Sequence, residues 1–325
     1  ILERLIMIKH TIIAGAVMAL ASTSALADSH TTKDATTKNN WDVSAFGEIR
    51  AFAQGSSKKD VDTEVKSSDT KFGFKVNGQQ GPVGIFGELS ANVDVNGDGT
   101  DDLTTRFGYV GVSLPKFGSV SLGKQMSIQE GFVDKADVFY SAGNNSVQKM
   151  SFYQKNSIKY TNTIGGVGVG ALVVMTDDDA DNDALDRYQI GASFMNVGVS
   201  LGKDNTTDTT FYGIGYSDKF GKIGVGASYT IKDVAGDAGI GKAITWDSDK
   251  TTTVTRGIEL AVSYDVSDAI TTTGGYNKTD VAGDDGNAIG EVAYKISSNV
   301  VAFGNVEYDI DSSDHTTRAG ISITF

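Results

Sequence analysis

Apolar residues recur at every second position through most of this chain, and that period restricts it to strands. In 222–232, Ile223, Val225, Ala227, Tyr229 and Ile231 alternate with Gly, Ser, Thr and Lys. Ile258, Leu260, Val262 and Tyr264 repeat the pattern, as do Tyr188, Ile190, Ala192 and Phe194 and the final run from Arg318 to Phe325. Successive side chains of a strand point to opposite faces, so each segment has one apolar face and one small or polar face. A soluble sandwich alternates in the same way, so period two alone leaves open whether the apolar face meets a core or lipid.

Spacing separates the two. Sixteen segments read as strands: 41–54, 69–77, 83–94, 104–114, 117–125, 154–163, 167–176, 186–194, 196–203, 209–217, 221–232, 254–264, 269–278, 287–296, 300–310 and 316–325. Gaps after even-numbered segments are short, as at 78–82, 115–116, 163–166 and 195–196. Gaps after odd-numbered segments are mostly long, as at 55–68, 95–103, 126–153, 177–185 and 233–253, with 204–208 the brief exception. Short turns at one end, long loops at the other and strands of about 9–11 residues are the arrangement of an outer-membrane barrel. Tyr160, Tyr212, Tyr264, Tyr308 and Phe325 share the apolar parity, several of them near segment ends, where interfacial girdles form. Both prolines, Pro82 and Pro115, fall in turns, which leaves the ladders intact. The chain has no Cys, which excludes disulfide frameworks and thiolate sites. The expected fold is all-β, a 16-stranded antiparallel transmembrane β-barrel.

The start of the chain reads as an address. From Met7, Lys9 and His10 precede an apolar run over 11–20, and Ala25-Leu26-Ala27 follows. A charged start, a short apolar core and a small-residue cleavage site make an export signal. The run is well short of the roughly 20 residues a spanning helix needs. The expected organisation is a signal over 1–27, with 1–6 extraneous to it, a flexible polar segment over 28–40 and the barrel over 41–325. Residues 28–40 are too polar to fold alone, and either hang free or enter the lumen as a partial plug. Of the net charge of −13, Arg4, Lys9 and Glu3 contribute +1, leaving −14 after cleavage. That balance excludes a nucleic-acid partner, which needs a basic footprint, and concentrates cations nearby.

Two acidic loops suggest ion chemistry. Asp94, Asn96, Asp98, Thr100 and Asp102 place oxygen ligands at alternate positions, with Gly97 and Gly99 for a sharp turn. This follows the first part of a calcium loop, although Thr105 stands where a bidentate Glu belongs and no helices flank it. The run from Asp177 to Asp183 reads as a solvated, self-repelling loop, or as a cation-bridged contact to surface lipopolysaccharide. No cofactor is required by any motif. Catalysis has little support: beyond the signal only His30 and His315 remain, with no G-x-S-x-G and no Cys/His metal spacing.

Three segments carry a resemblance: Asp69-Thr70-Lys71-Phe72-Gly73-Phe74-Lys75, the stretch from Thr105 to Gln125, and Asn156-Ser157-Ile158-Lys159-Tyr160-Thr161. In order and spacing, with the terminal Phe325 as an assembly signal, they resemble the Gram-negative general-diffusion porins. The resemblance implies homotrimers in the outer membrane, bounded by lipid and lipopolysaccharide, that pass small hydrophilic solutes. It also implies a third loop, here 126–153, folded into the pore. Its acids Glu130, Asp134 and Asp137 would face a basic wall of Lys71, Arg106 and Lys159. The family usually has Arg at the first and third of these wall positions, and Lys keeps the charge without the planar guanidinium.

Parity supplies further lumen candidates. Phe72, Phe74 and Val76 turn Lys71 and Lys75 inward, and Ile158 with Tyr160 does so for Lys159. Arg187, Arg318 and Lys222 are inward, and so is Arg50 if Val43, Ala45 and Ile49 face out. A charge on the lipid face costs about 2–4 kcal/mol at midplane, which favours these placements. Arg106 is ambiguous, because Phe107/Tyr109 and Val110/Val112 lie on opposite parities. The alternatives to a mildly cation-preferring diffusion channel are a pore selective for a sugar or an anion, and a plugged barrel with an adhesive or structural role.

Overall fold

The computed structural model describes residues 40–58, 62–94, 103–142, 149–175, 185–234, 254–280 and 286–325. The expected signal, the segment over 28–39, the acidic run 177–183 and calcium-loop positions 95–102 lie outside the described residues. The strands are β1 (Asn40–Ser56), β2 (Glu64–Ser67), β3 (Lys71–Gln80), β4 (Val83–Val93), β5 (Leu103–Leu114), β6 (Gly118–Met126), β7 (Tyr153–Ile164), β8 (Val167–Met175) and β9 (Leu185–Phe194). They continue as β10 (Val197–Asp204), β11 (Thr209–Phe220), β12 (Ile223–Val234), β13 (Val254–Asp265), β14 (Ile270–Thr279), β15 (Asn287–Lys295), β16 (Val300–Asp309) and β17 (His315–Thr324). A single short helix, α1 (Ile128–Phe132), follows β6 among the described residues.

All strands join one sheet, and every pairing between them is antiparallel. The sheet closes because β1 also pairs with β17, from Glu48↔Thr324 to Ser56↔Thr316. β2 and β3 both pair with β1 and are two pieces of one crossing strand, so sixteen strands cross. Between Glu48↔Lys71 and Ala51↔Ser67, two residues of β1 face three of the partner. The extra residue is a bulge, with Asp69 at φ 53°. The expected loop over 55–68 is therefore partly strand. Elsewhere the reading and the fold agree closely, and turns such as Gly81-Pro82, Gly165-Gly166 and Met195-Asn196 join consecutive strands at one end.

Exposure assigns the faces. Val43 (64% exposed), Leu89 (65%) and Ile190 (52%) alternate with Glu48 (8%), Ser90 (4%) and Gln189 (1%). An apolar exterior around a polar interior inverts a soluble fold and is what a lipid-facing barrel needs.

Candidate permeation site in the barrel lumen

The inner wall is built to hold a chain. Ser127 caps α1, its hydroxyl accepting from the Glu130 N–H at 3.1 Å. Ile128 and Phe132 then pack on Leu172 and Val174, inward residues of β8 that interrupt its otherwise small inner face. Gln189 accepts hydrogen bonds from the Ile128 N–H (2.8 Å) and the Gln129 N–H (3.3 Å). The Ser228 hydroxyl donates to the Val133 carbonyl (2.8 Å) and accepts from the Lys135 N–H (3.0 Å). Farther on, Phe139 packs with Ala261 and Ile289. The Tyr140 N–H donates to Glu291 (3.0 Å), Asn305 donates to the Ser141 hydroxyl (2.7 Å), and Arg50 donates to the Tyr140 carbonyl. Residues 127–142 thus run along the inner face from β8 round to β1.

Where this segment reaches β1, charges converge. Glu48 takes Lys71 at 2.7 Å and Arg50 at 2.5 Å. Asp69, at the bulge, lies 3.6 Å from Arg50 and 3.5 Å from Arg106. Arg50, Asp69, Asp137 and Tyr140 line one cavity of about 520 Å³. Burial pushes the Asp137 carboxyl up to about 6; Asp134 and Asp69 add to the rise, and Lys149 and Arg50 oppose it. Lys149 bridges Glu130 (2.7 Å) and Asp134 (2.5 Å). Burial disfavours its charge, yet the two carboxylates hold its ammonium well above the usual range.

The sequence-derived candidates divide accordingly. Arg50, Lys71 and Arg106 form the wall cluster, with Glu48 and Asp69 between them. Asp137 faces that cluster, whereas Glu130 and Asp134 pair within the loop. Lys159 is inward but donates to the Met126 carbonyl (3.0 Å) at the root of the loop. Lys75 lies over the Phe46 ring at 4.8 Å. Arg187 pairs with Asp204 (2.7 Å) and Arg318 with Glu307 (2.8 Å), both away from the cluster. Lys222 sits in a turn, donating to the Val266 carbonyl at 3.4 Å. Asp94 lines a polar cavity of about 320 Å³ with Asp69, Asn92 and Tyr153. The other expected calcium ligands, Asn96, Asp98, Thr100 and Asp102, are among the positions not described. Sequence reasoning missed Asp69 as a wall acid and Lys149 as the counter-ion of the loop.

Arg106 resolves its own ambiguity. Ser90 pairs with Phe107 and Ala91 with Thr105, so Arg106 is the extra residue of a second bulge. Val110 faces out and Phe107 in on one side of that bulge, and Leu103 faces out on the other. The mixed parity of Phe107/Tyr109 and Val110/Val112 lies in one regular register, with rings inward and valines outward, so both faces of β5 are apolar there. The bulge just before it lets Arg106 join the inner face and donate to Asn92 at 3.0 Å.

A closed barrel with an apolar exterior, a charged interior and a chain segment along the inner wall is a channel-type outer-membrane barrel. The Gram-negative porin family matches residues 14–315, and the chain belongs to that family. Its place is therefore the outer membrane. Among solved structures, an anion-selective porin from Comamonas acidovorans superposes with a TM-score of 0.70 at 15% identity, over 88% of this chain and 100% of that one. OmpT of Vibrio cholerae in a trimer form gives 0.64 at 16%, over 88% and 100%. Salmonella typhi OmpF in complex with daunomycin gives 0.65 at 15%, over 90% and 100%. At these identities the likeness is one of fold.

Proposed function

We propose that the chain forms a homotrimeric channel for passive diffusion of small hydrophilic solutes and ions, mildly preferring cations. The observation that carries this is the 127–142 segment hydrogen-bonded along the inner wall from β8 to β1. Such a segment narrows the lumen and brings Asp137 opposite Arg50, so size and charge are screened at one level. The cation preference follows from compensation. Arg50, Lys71 and Arg106 already pair with Glu48 and Asp69, which quenches the field of an anion channel. The acid excess of the whole chain then sets the sign. Trimerisation rests on the family and on the trimeric Vibrio cholerae relative. No catalytic role is proposed, and weak calcium binding by Asp94, Asn96, Asp98, Thr100 and Asp102 is proposed as separate from conduction.

Purified protein in planar bilayers under a KCl gradient tests this. The expected result is an ohmic current that rises with salt without saturating, and a reversal potential of cation sign. Strong anion selectivity would overturn the preference. A sealed barrel would favour the structural alternative.

A further inference from the structure

The inner wall carries aromatic rings that an ion pathway does not need. On β4, β5 and around the start of β7, Phe86, Tyr109, Phe107, Phe152 and Tyr153 form one contiguous strip. Ring centroids lie 6.3 Å apart for Phe86–Tyr109, 6.4 Å for Phe107–Tyr109, 6.0 Å for the Phe107–Phe152 stack and 5.5 Å for Phe107–Tyr153. Register fixes their direction. Phe107 pairs with Ser90, Tyr109 with Glu88 and Phe86 with Gly111, while Leu89 and Val110 between them face out. None of the five rings is fully buried. A Cβ on Gly111 would run into the far end of the Phe86 ring, so Phe86 uses the space of a missing side chain. From Gly111 to Phe107 the strip covers roughly 14 Å of strand, and Phe152 and Tyr153 extend it.

The plain reading is that rings anchor the loop. The stack of Phe152 on Phe107 does tie the loop's return to the wall. Among the described residues that role stops short of Phe86 and Tyr109, because contacts of residues 127–142 run from β8 round to β1, away from β4 and β5. Each end of the strip also has polar groups beside its rings. The Arg106 guanidinium is 5.4 Å from the Phe107 centroid, donates to Asn92 at 3.0 Å and is 3.5 Å from Asp69. Asn92 donates to the Tyr153 hydroxyl at 3.2 Å, and the Tyr109 hydroxyl donates to Glu88 at 3.4 Å. Aromatic faces flanked by paired donors and acceptors suit a solute with apolar ring faces and hydroxyl rims. The pairing of Arg106 with Asp69 leaves little net field to select an ion.

We propose that this strip is a binding track for neutral oligosaccharides, whose sugar rings stack on Phe86 and Tyr109 while their hydroxyls engage Arg106, Asn92 and Glu88. The inference rests on the channel reading and names a substrate class for it. The test adds maltohexaose or chitohexaose to single channels conducting KCl, with polyethylene glycol of matched size as the control. The expected result is a saturable block by at least one sugar and none by the polymer. Phe86→Ala and Phe86→Leu should each raise the half-blocking concentration roughly fivefold, and Phe86→Tyr should retain wild-type block. Calorimetric titration of detergent-solubilised protein with the same sugars reads the track without a current. A missing KCl current with sugar binding lost in Phe86→Ala would overturn the channel and keep the track. Sugar block no different from the polymer's, or binding unchanged in Phe86→Ala, would overturn the track.

Discussion

Asp137 and Lys149 show how single side chains set the charge of the lumen. With its carboxyl pushed up to about 6 by burial, Asp137 is mostly ionised at pH 7. At pH 5 only about a tenth remains ionised. The raised value means that acid removes a negative charge opposite Arg50, so cation preference falls as pH drops. Reversal potentials should shift toward anions with a midpoint near pH 6, and Asp137→Asn should hold the acid-pH value throughout. A wild-type profile in that variant would show that another group titrates. Lys149 has a different task. The Asp134 side chain is 3% exposed, so removing its counter-ion strands a buried charge, at a cost on the order of 3 kcal/mol. Lys149→Met should loosen the loop, giving faster proteolysis within 127–152 and a noisier open current on an otherwise intact barrel. Adding Glu130→Gln and Asp134→Asn should restore quiet conduction; noise that persists would assign Lys149 some other role.

At the scale of elements, the loop's path depends on a rail of glycines. On the inner faces of β10, β11 and β12, the carbonyls of Phe132, Val133 and Lys135 occupy the places where Cβ atoms of Gly198, Gly215 and Gly226 would stand. Backbone lies directly on backbone there. Gly215→Ala is tolerable for a strand yet pushes Val133 off the wall, so single-channel conductance should change while the far-ultraviolet spectrum of the barrel does not. Conductance identical to wild type would mean that the segment does not bound the pore. In the sequence these glycines read only as filler on a crowded inner parity. Their use depends on the path of a loop from a distant part of the chain, which no local pattern encodes. The strands themselves were legible because period two is local, and so was the inward direction of Arg50, Lys71, Lys75, Lys159, Arg187 and Arg318, but not which of them meet in the cluster. What period two cannot carry across is a bulge. The extra residues at Asp69 and Arg106 reverse the parity, bring both side chains into the cluster, and hid Asp69 altogether.

The whole molecule is held shut by one seam, between β1 and β17, and the charge cluster borders it. The Ser322 hydroxyl donates to Glu48 at 2.9 Å, and Arg318 donates to Gln54 at 2.8 Å, both across the seam. These partners lie far apart in the chain, so Glu48 gains its Ser322 hydrogen bond only when the barrel closes. Phe325 finishes the seam. Its N–H donates to the Gly47 carbonyl at 3.1 Å, its carbonyl accepts from the Gly47 N–H at 2.9 Å, and its ring takes the space above Gly47. Without these contacts the short-turn end of two strands is an open edge, which a barrel otherwise abolishes. Removing Phe325 deletes two backbone hydrogen bonds and the ring, worth about 2–3 kcal/mol together. Phe325→Ala keeps the backbone pair and loses only the ring. Refolding into detergent micelles, followed by the heat-dependent gel mobility of closed barrels, should therefore rank wild type above Phe325→Ala and Phe325→Ala above the deletion. Phe325→Tyr should match wild type. The same unfolding temperature in all four proteins would place closure elsewhere along the seam, in the nine register pairs from Glu48↔Thr324 to Ser56↔Thr316.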